Sequence, residues 1–335
     1  MKTLSLCLLL ASSSLWAQPK KILMFGSPEA AAKLQQKVPG ARLVAVTPQT
    51  ALAQVADADA VIGNITPEMV RKGARLKWFH VTSAGVERYL HLSGPELMNS
   101  DITVTNAKIV QGPEIADHAM ALLLNLTRGL NRIVPRRSEE NWERDRDEYQ
   151  AIELNEKTAV IIGVGGIGTQ IAARAHAFGM KVIGVDPKDI PYMPFIERVV
   201  HPDRLDEVIP LADVVFISAP HTRQSHKMVG PKQFASMKRG AYFIAVSRGG
   251  LYDMPSLVKA LDSKMLAGAG VDVTDPEPLP KGHPLWKFQN AVITPHIATR
   301  SDLSPARRDA ILEDNLRRFV EGRPLIHVVD KQKGY

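Results

Sequence analysis

Cysteine is all but absent. Cys7 is the only one among 335 residues and lies in the N-terminal segment, so the chain beyond it has no disulfide, thiolate nucleophile or cysteine-ligated metal. No metal site of any kind is expected. Past residue 20, no stretch is apolar for long enough to span a bilayer. A dense Lys/Arg block is missing too. The net charge of +7 is scattered, with only short pairs such as Arg136-Arg137 and Arg317-Arg318. Mild, dispersed positive charge suits attraction of anionic small molecules, and no nucleic-acid partner is expected. No repeat of solenoid period occurs. With 45% hydrophobic and 23% charged residues, the composition excludes disordered and collagen-like classes.

A chain of this length exceeds what one hydrophobic core usually serves, so two domains are expected. Residues 1–17 stand apart. Lys2 gives a short positive start, Leu4 to Leu10 form an apolar run, and Ser12-Ser13-Ser14 and Ala17 follow. This pattern predicts a signal peptide and an exported protein, periplasmic or secreted, although Leu15 is large for its place before the cleavage site. A cytoplasmic enzyme with a loose N-terminus is the other reading.

From Lys21 onward, short apolar runs alternate with amphipathic stretches. Ile22–Phe25, Leu43–Val46, Ala60–Ile62 and Trp78–Val81 read as buried strands, and Glu29–Lys37 reads as a helix. Pro113–Arg132 reads as one long helix, with Ala116, Ala119, Leu123 and Leu126 on one face. The polar stretch 136–149 reads as a loop or arm. A second series follows, with strands at Ala159–Gly163, Lys181–Asp186, Val214–Ser218, Tyr242–Val246, Gly268–Val273 and Ala291–Thr294. Ser304–Glu321 reads as a closing helix.

Between the first two strands of that second series runs Gly163-Val164-Gly165-Gly166-Ile167-Gly168, a G-x-G-x-x-G spacing. Gly163 permits the tight turn, Gly165 lets the backbone approach a pyrophosphate, and Gly168 lets helix and strand pack closely. The helix N-terminus offers free N–H groups and a positive dipole end. Asp186 follows 18 residues after Gly168, where a carboxylate can accept hydrogen bonds from ribose hydroxyls. It would repel a 2′-phosphate, so NAD is the expected cofactor, with nearby Lys188 softening that preference.

Open α/β sheets bind ligands beyond the carboxyl ends of their strands. Arg248, Glu277 and His296 fall there, after three successive late strands. Each alone reads equally as a turn or surface residue, but together they form a chemical set. A His titrating near neutral pH can pass a proton to or from a hydroxyl oxygen. A carboxylate fixes the imidazole and stabilises its charged form. A guanidinium can hold a substrate carboxylate through its planar fork and polarise a carbonyl.

The segments around these residues are specific. Met237-Lys238-Arg239-Gly240-Ala241 through Ser247-Arg248-Gly249-Gly250, Gly270-Val271-Asp272-Val273 with Glu277-Pro278, and His283-Pro284-Leu285-Trp286 through Thr294-Pro295-His296-Ile297-Ala298 resemble the D-isomer-specific 2-hydroxyacid dehydrogenases. The resemblance covers nearly the whole chain after residue 20 and is of the glyoxylate/hydroxypyruvate reductase kind. It implies that Arg248, Glu277 and His296 are catalytic and that Asp272 contacts the nicotinamide amide. It assigns Gly163, Gly165, Gly166, Ile167, Gly168, Asp186, Ser225 and Val246 to the cofactor. It assigns the backbone of Ser83, Ala84 and Gly85 to a small 2-oxo or 2-hydroxy acid.

The pattern departs from the family around Ala245, at Asp117 and at Ser225, which blurs the subgroup. Glu277 separates the chain from formate dehydrogenases. The expected absence of a regulatory domain after residue 335 separates it from phosphoglycerate dehydrogenases. The implied architecture is α/β, with two doubly wound parallel-sheet domains. One is a Rossmann cofactor domain at 112–299, and the other is a flavodoxin-like, discontinuous substrate domain at 20–111 and 300–335. A homodimer is implied as well. The competing expectation is an NAD-sensing binding protein of the same fold without significant turnover.

Overall fold

The computed structural model describes residues 18–90, 95–140, 142 and 150–335. The proposed signal peptide and most of the polar stretch at 136–149 lie outside them. Among the described residues, no helix is long and apolar enough to cross a membrane.

Two parallel sheets organise the chain. The first contains β1 (Lys20–Phe25), β2 (Ala41–Val46), β3 (Ala60–Ile62), β4 (Trp78–Val81) and β5 (Thr103–Asn106), in the order β2-β1-β3-β4-β5. The second contains β6 (Thr158–Ile162), β7 (Lys181–Val185), β8 (Arg198–Val200), β9 (Val214–Ile217), β10 (Ala241–Ala245), β11 (Leu266–Val271) and β12 (Ala291–Ile293), in the order β12-β11-β10-β9-β6-β7-β8. The first order is the flavodoxin type. The second is the Rossmann type extended by one strand, with its chain reversal between β6 and β9.

Strand sequence explains this burial. In β6, Val160 and Ile162 join one core while Ala159 and Ile161 join the core on the opposite face. Apolar residues at every position suit a sheet covered on both sides. The helix Gly112–Thr127 buries Ile115, Ala116, Ala119, Leu122, Leu123 and Leu126 against the second sheet. The helix Ser304–Glu321 buries Leu312 and Leu316 beside Ile22, Ile62 and Trp78 of the first sheet, then ends where Gly322 turns left-handed at φ 70°. The two linking helices are pinned by a 2.7 Å ion pair between Arg307 and the buried Glu114.

Three features differ from the sequence expectation. The helix starting near Pro113 stops at Thr127, because Gly129 turns left-handed at φ 68° before a separate turn at Leu130–Ile133. Within the polar stretch, Val134–Glu139 winds into a 3-10 helix. Strands β5 and β8 lie at the sheet edges, where polar Thr103-Val104-Thr105-Asn106 and short Arg198-Val199-Val200 give no buried-strand signature.

Candidate active site

The glycine turn follows directly from β6. Gly163 has φ +92°, and a Cβ there would stand 2.5 Å from the Ala219 backbone. Its carbonyl accepts a 2.7 Å hydrogen bond from the Ser218 hydroxyl at the end of β9. A Cβ on Gly168 would overlap the Gly163 carbonyl oxygen, whereas one on Gly165, at the head of the helix Gly166–Ala177, would meet no protein atom within 4 Å. Gly163 and Gly168 thus serve the fold, and Gly165 guards an open space at a helix N-terminus. That cradle fits a dinucleotide pyrophosphate. Gly166 packs against the backbone of Ile109, and Ile167 against the core.

Just past β7, Asp186 accepts hydrogen bonds from the N–H of Val164 at 2.8 Å and of Lys188 at 2.9 Å. Its carboxylate therefore ties the glycine turn to the next strand end. A cavity of about 310 Å³ opens beside it, lined in part by Lys188, Arg198 and His201. Tyr335, from the end of the chain, places its ring 4.3 Å from Lys188 Nζ. Burial pushes the Tyr335 phenol above its usual range, and the charges of Asp186 and Asp330 push it further. Ser225 spends its hydroxyl on the Pro220 carbonyl at 2.7 Å, and Val246 is buried with its N–H on the Ile217 carbonyl at 3.2 Å.

Neighbouring strands β10, β11 and β12 bring the next residues to one sheet edge. His296 takes φ +51°, held by its N–H on the carbonyls of Asp272 at 2.9 Å and Thr294 at 3.1 Å. The fully buried Asp272 carboxylate accepts from the Thr294 hydroxyl at 2.6 Å and from the N–H groups of Ile297 at 2.9 Å and Ala298 at 3.0 Å. It fastens the loop on both sides of His296. His118 adds a ring nitrogen 2.9 Å from the Thr294 hydroxyl. The His296 Nδ1 atom then meets Glu277 Oε1 at 2.6 Å. The imidazole is 35% exposed, so Nε2 is the nitrogen left for a ligand.

Arg248 is oriented from two sides. Its Nε donates to Glu87 Oε1 at 2.5 Å and its Nη1 to the Ser247 carbonyl at 2.6 Å. The remaining Nη2 lies against Gly85, where any Cβ would overlap it and stand 2.7 Å from Glu87 Oε2. Two of the five guanidinium N–H donors are thus engaged within the protein, and Nη2 faces the Gly85 loop. Burial raises the Glu87 carboxyl, but the charge and hydrogen bond of Arg248 outweigh it and hold the group below the usual carboxylate range.

The Ser83–Gly85 loop turns its carbonyls inward. The Ser83 carbonyl accepts from the Ala107 N–H at 3.1 Å, that of Ala84 from the Asn106 amide at 2.6 Å, and that of Gly85 from the Ser83 hydroxyl at 3.2 Å. Among the described residues, no acceptor meets the N–H groups of Ala84, Gly85 or Val86. The two clusters adjoin through Gly249, where a Cβ would strike the backbone of Thr274 and Asp275. His221 lies over Gly250, 3.0 Å from His226. Burial and the neighbouring His226 push the His221 imidazole down, against the opposing charges of Glu87 and Asp275.

Sequence reasoning thus named the central residues of both clusters but not Glu87, Asn106, His118, His221 or His226 as members of the site. Glu87 carried a faint signal, a carboxylate two residues beyond the Gly85 loop. Its partner, 161 positions away, left no trace.

Residues 120–298 match the family model described as D-isomer specific 2-hydroxyacid dehydrogenase, NAD binding domain. The chain is 30% identical over 294 residues to a glyoxylate reductase of Thermofilum pendens, covering 84% of each protein. It is 29% identical over 292 residues to a D-3-phosphoglycerate dehydrogenase of Methanocaldococcus jannaschii, covering 85% of this chain but only 54% of that relative's length. Among solved structures, the TT0316 protein of Thermus thermophilus superposes with a TM-score of 0.75 at 32% identity, over 92% of this chain and 99% of that one.

Proposed function

Because the chain belongs to the D-isomer specific 2-hydroxyacid dehydrogenases, nicotinamide-dependent oxidoreductases, we propose that it interconverts a small 2-oxo acid and its D-2-hydroxy acid through His296, Glu277 and Arg248. Glyoxylate and hydroxypyruvate are the proposed substrates. One observation carries this reading: the 2.6 Å His296–Glu277 pair and Arg248 leave the carboxyl ends of neighbouring strands, with Gly249 packed on the Thr274-Asp275 backbone between them.

The Gly163–Gly168 turn and Asp186 would hold a nicotinamide dinucleotide, which would supply hydride chemistry at C2 in either direction. This chain's residues do the rest. Protonated His296 donates from Nε2 to the substrate oxygen, and neutral His296 recovers that proton in the reverse direction. Glu277 accepts the Nδ1–H, which fixes the ring and stabilises its cationic form. The free Nη2 of Arg248 polarises the carbonyl. The N–H groups of Ala84, Gly85 and Val86 receive the substrate carboxylate. Asp272 acts as a positioning residue, because its enclosed carboxylate holds the His296 loop from within.

Asp186 supports NAD over NADP, with Lys188, Arg198 and His201 nearby as the opposing influence. The exposed apolar residues Leu130, Ile133, Val134 and Trp142 support a homodimer formed on the cofactor domain. Steady-state oxidation of NADH with glyoxylate and hydroxypyruvate tests the reading. Saturable turnover yielding D-glycerate from hydroxypyruvate is expected. NADH binding with no turnover of either acid would favour a nucleotide-sensing protein instead.

A further inference from the structure

We propose that Glu87 is a specificity-determining residue: paired with Arg248, it makes the substrate site select 2-oxo acids bearing one negative charge over dianionic ones. This inference rests on the substrate reading above.

The balance of charge at the site is the ground for it. Two groups there can meet an anion as cations, Arg248 and protonated His296. Each already carries a carboxylate of its own, Glu87 at 2.5 Å and Glu277 at 2.6 Å. Arg248 holds Glu87 ionised below the usual carboxylate range, despite the burial that opposes it. His221 brings no compensating charge near neutral pH, since burial and His226 push its imidazole down. Asp275, close enough to act on His221, adds another negative charge from the loop after β11. Among these described residues, the charges therefore sum to zero or slightly below it before any substrate arrives.

A single carboxylate is still accommodated. The N–H groups of Ala84, Gly85 and Val86 are neutral donors with no other acceptor among the described residues. Among the described residues, no second set of unengaged backbone N–H groups is seen beside this loop for another carboxylate. Glu87 Oε2 lies against Gly85 in that same loop, and two of the five Arg248 N–H donors are already engaged, one of them by Glu87 itself. Like charges brought together in a partly desolvated site are disfavoured, and a dianion feels the Glu87 charge twice as strongly as a monoanion does.

The residue thus does two things with one contact. It aims the Nη2 vertex of Arg248 at the Gly85 loop, and it cancels the charge that would otherwise attract a second carboxylate. Glu87 belongs to the helix Glu87–Leu90 of the substrate domain, while Arg248 follows β10 of the cofactor domain. This selection therefore exists only where the two domains meet.

Oxamate and oxalate are nearly isosteric and differ by one charge, so calorimetric titration of each into the NADH-saturated protein isolates the effect from turnover. The wild type should bind oxamate at least about tenfold more tightly than oxalate. Glu87→Gln should shrink that ratio about tenfold, a change of about 1.4 kcal/mol, and Glu87→Asp should retain it. A wild type that binds oxalate as tightly as oxamate overturns the proposal without any variant, as does a ratio unmoved in Glu87→Gln. The expected ratios in a protein that turns over no 2-oxo acid would uphold the role of Glu87 and overturn the proposed function alone.

Discussion

His296 and Glu277 meet through Nδ1 and Oε1 at 2.6 Å although 19 positions separate them along the chain. The contact is imposed by the sheet. Glu277 leaves the end of β11 and His296 the end of its parallel neighbour β12, and Asp272 fastens the second loop to the first. The left-handed backbone of His296 is held by two hydrogen bonds, so the ring is aimed before a ligand binds.

Removing the carboxylate from this pair should cost turnover and leave nucleotide binding alone. Glu277→Gln loses the charge-assisted hydrogen bond that orients the ring, so kcat for reduction should fall at least about tenfold. The Kd for NADH should stay within about twofold of the wild type, and parallel kinetics and fluorescence titration check both. A wild-type kcat in the variant would contradict the assigned role.

Two glycines of one turn should respond differently to the same substitution. A Cβ at Gly165 meets no protein atom within 4 Å, so Gly165→Ala should unfold at the wild-type temperature yet bind NADH at least about tenfold more weakly. A Cβ at Gly168 overlaps the Gly163 carbonyl, so Gly168→Ala should lose about 1–3 kcal/mol of stability. Thermal unfolding with fluorescence titration of NADH separates the cases. Equal unfolding temperatures for the two variants would count against the division of labour.

Much of this turn was legible in the sequence because its constraints are local: apolar strand, glycine spacing, helix. The strand-end residues were legible because parallel topology sends successive strand ends to one edge. Pairing between distant segments was not. Nothing in the residues around Glu87 announces Arg248, and nothing at Tyr335 announces that its ring reaches Lys188 beside Asp186. Edge strands β5 and β8 were invisible because their polar or very short sequences lack the buried-strand signature. The guanidinium fork of Arg248 was legible as chemistry, but its engagement by Ser247 and Glu87 depends on how the domains come together.

Cofactor preference is the next expected outcome. The wild type should use NADH at least about tenfold more efficiently than NADPH. Asp186→Asn keeps an acceptor for the Val164 N–H and removes the charge, so it should narrow that margin. Equal use of both cofactors by the wild type would contradict the role of Asp186.

Acid should destabilise the substrate domain through a buried histidine. The Trp78 indole donates to the Thr105 hydroxyl at 2.8 Å, and the same hydroxyl meets His80 Nδ1 at 2.9 Å within the buried core. Burial pushes the His80 imidazole down to about 4, with His327 adding to the effect. The unfolded chain binds this proton near pH 6.5 and the folded chain only near pH 4. The contribution to stability is therefore full above about pH 6.5 and is lost as pH falls toward 4, by on the order of 3 kcal/mol. Thermal unfolding across this range should show the decline, and His80→Gln should flatten it. An unchanged slope in the variant would contradict the assignment.

Export is tested by the N-terminus itself. Intact mass of protein taken from its native host should place the first residue near Gln18, and retention of Met1 or Lys2 would contradict export.

The most direct test of the account is made on one preparation of His296→Gln, by measuring kcat for hydroxypyruvate reduction alongside the Kd for NADH. The account predicts that kcat falls by about 10²- to 10⁴-fold while NADH affinity stays within about twofold of the wild type, because the ring moves a proton and does not hold the dinucleotide. A variant that keeps near-wild-type kcat would contradict it.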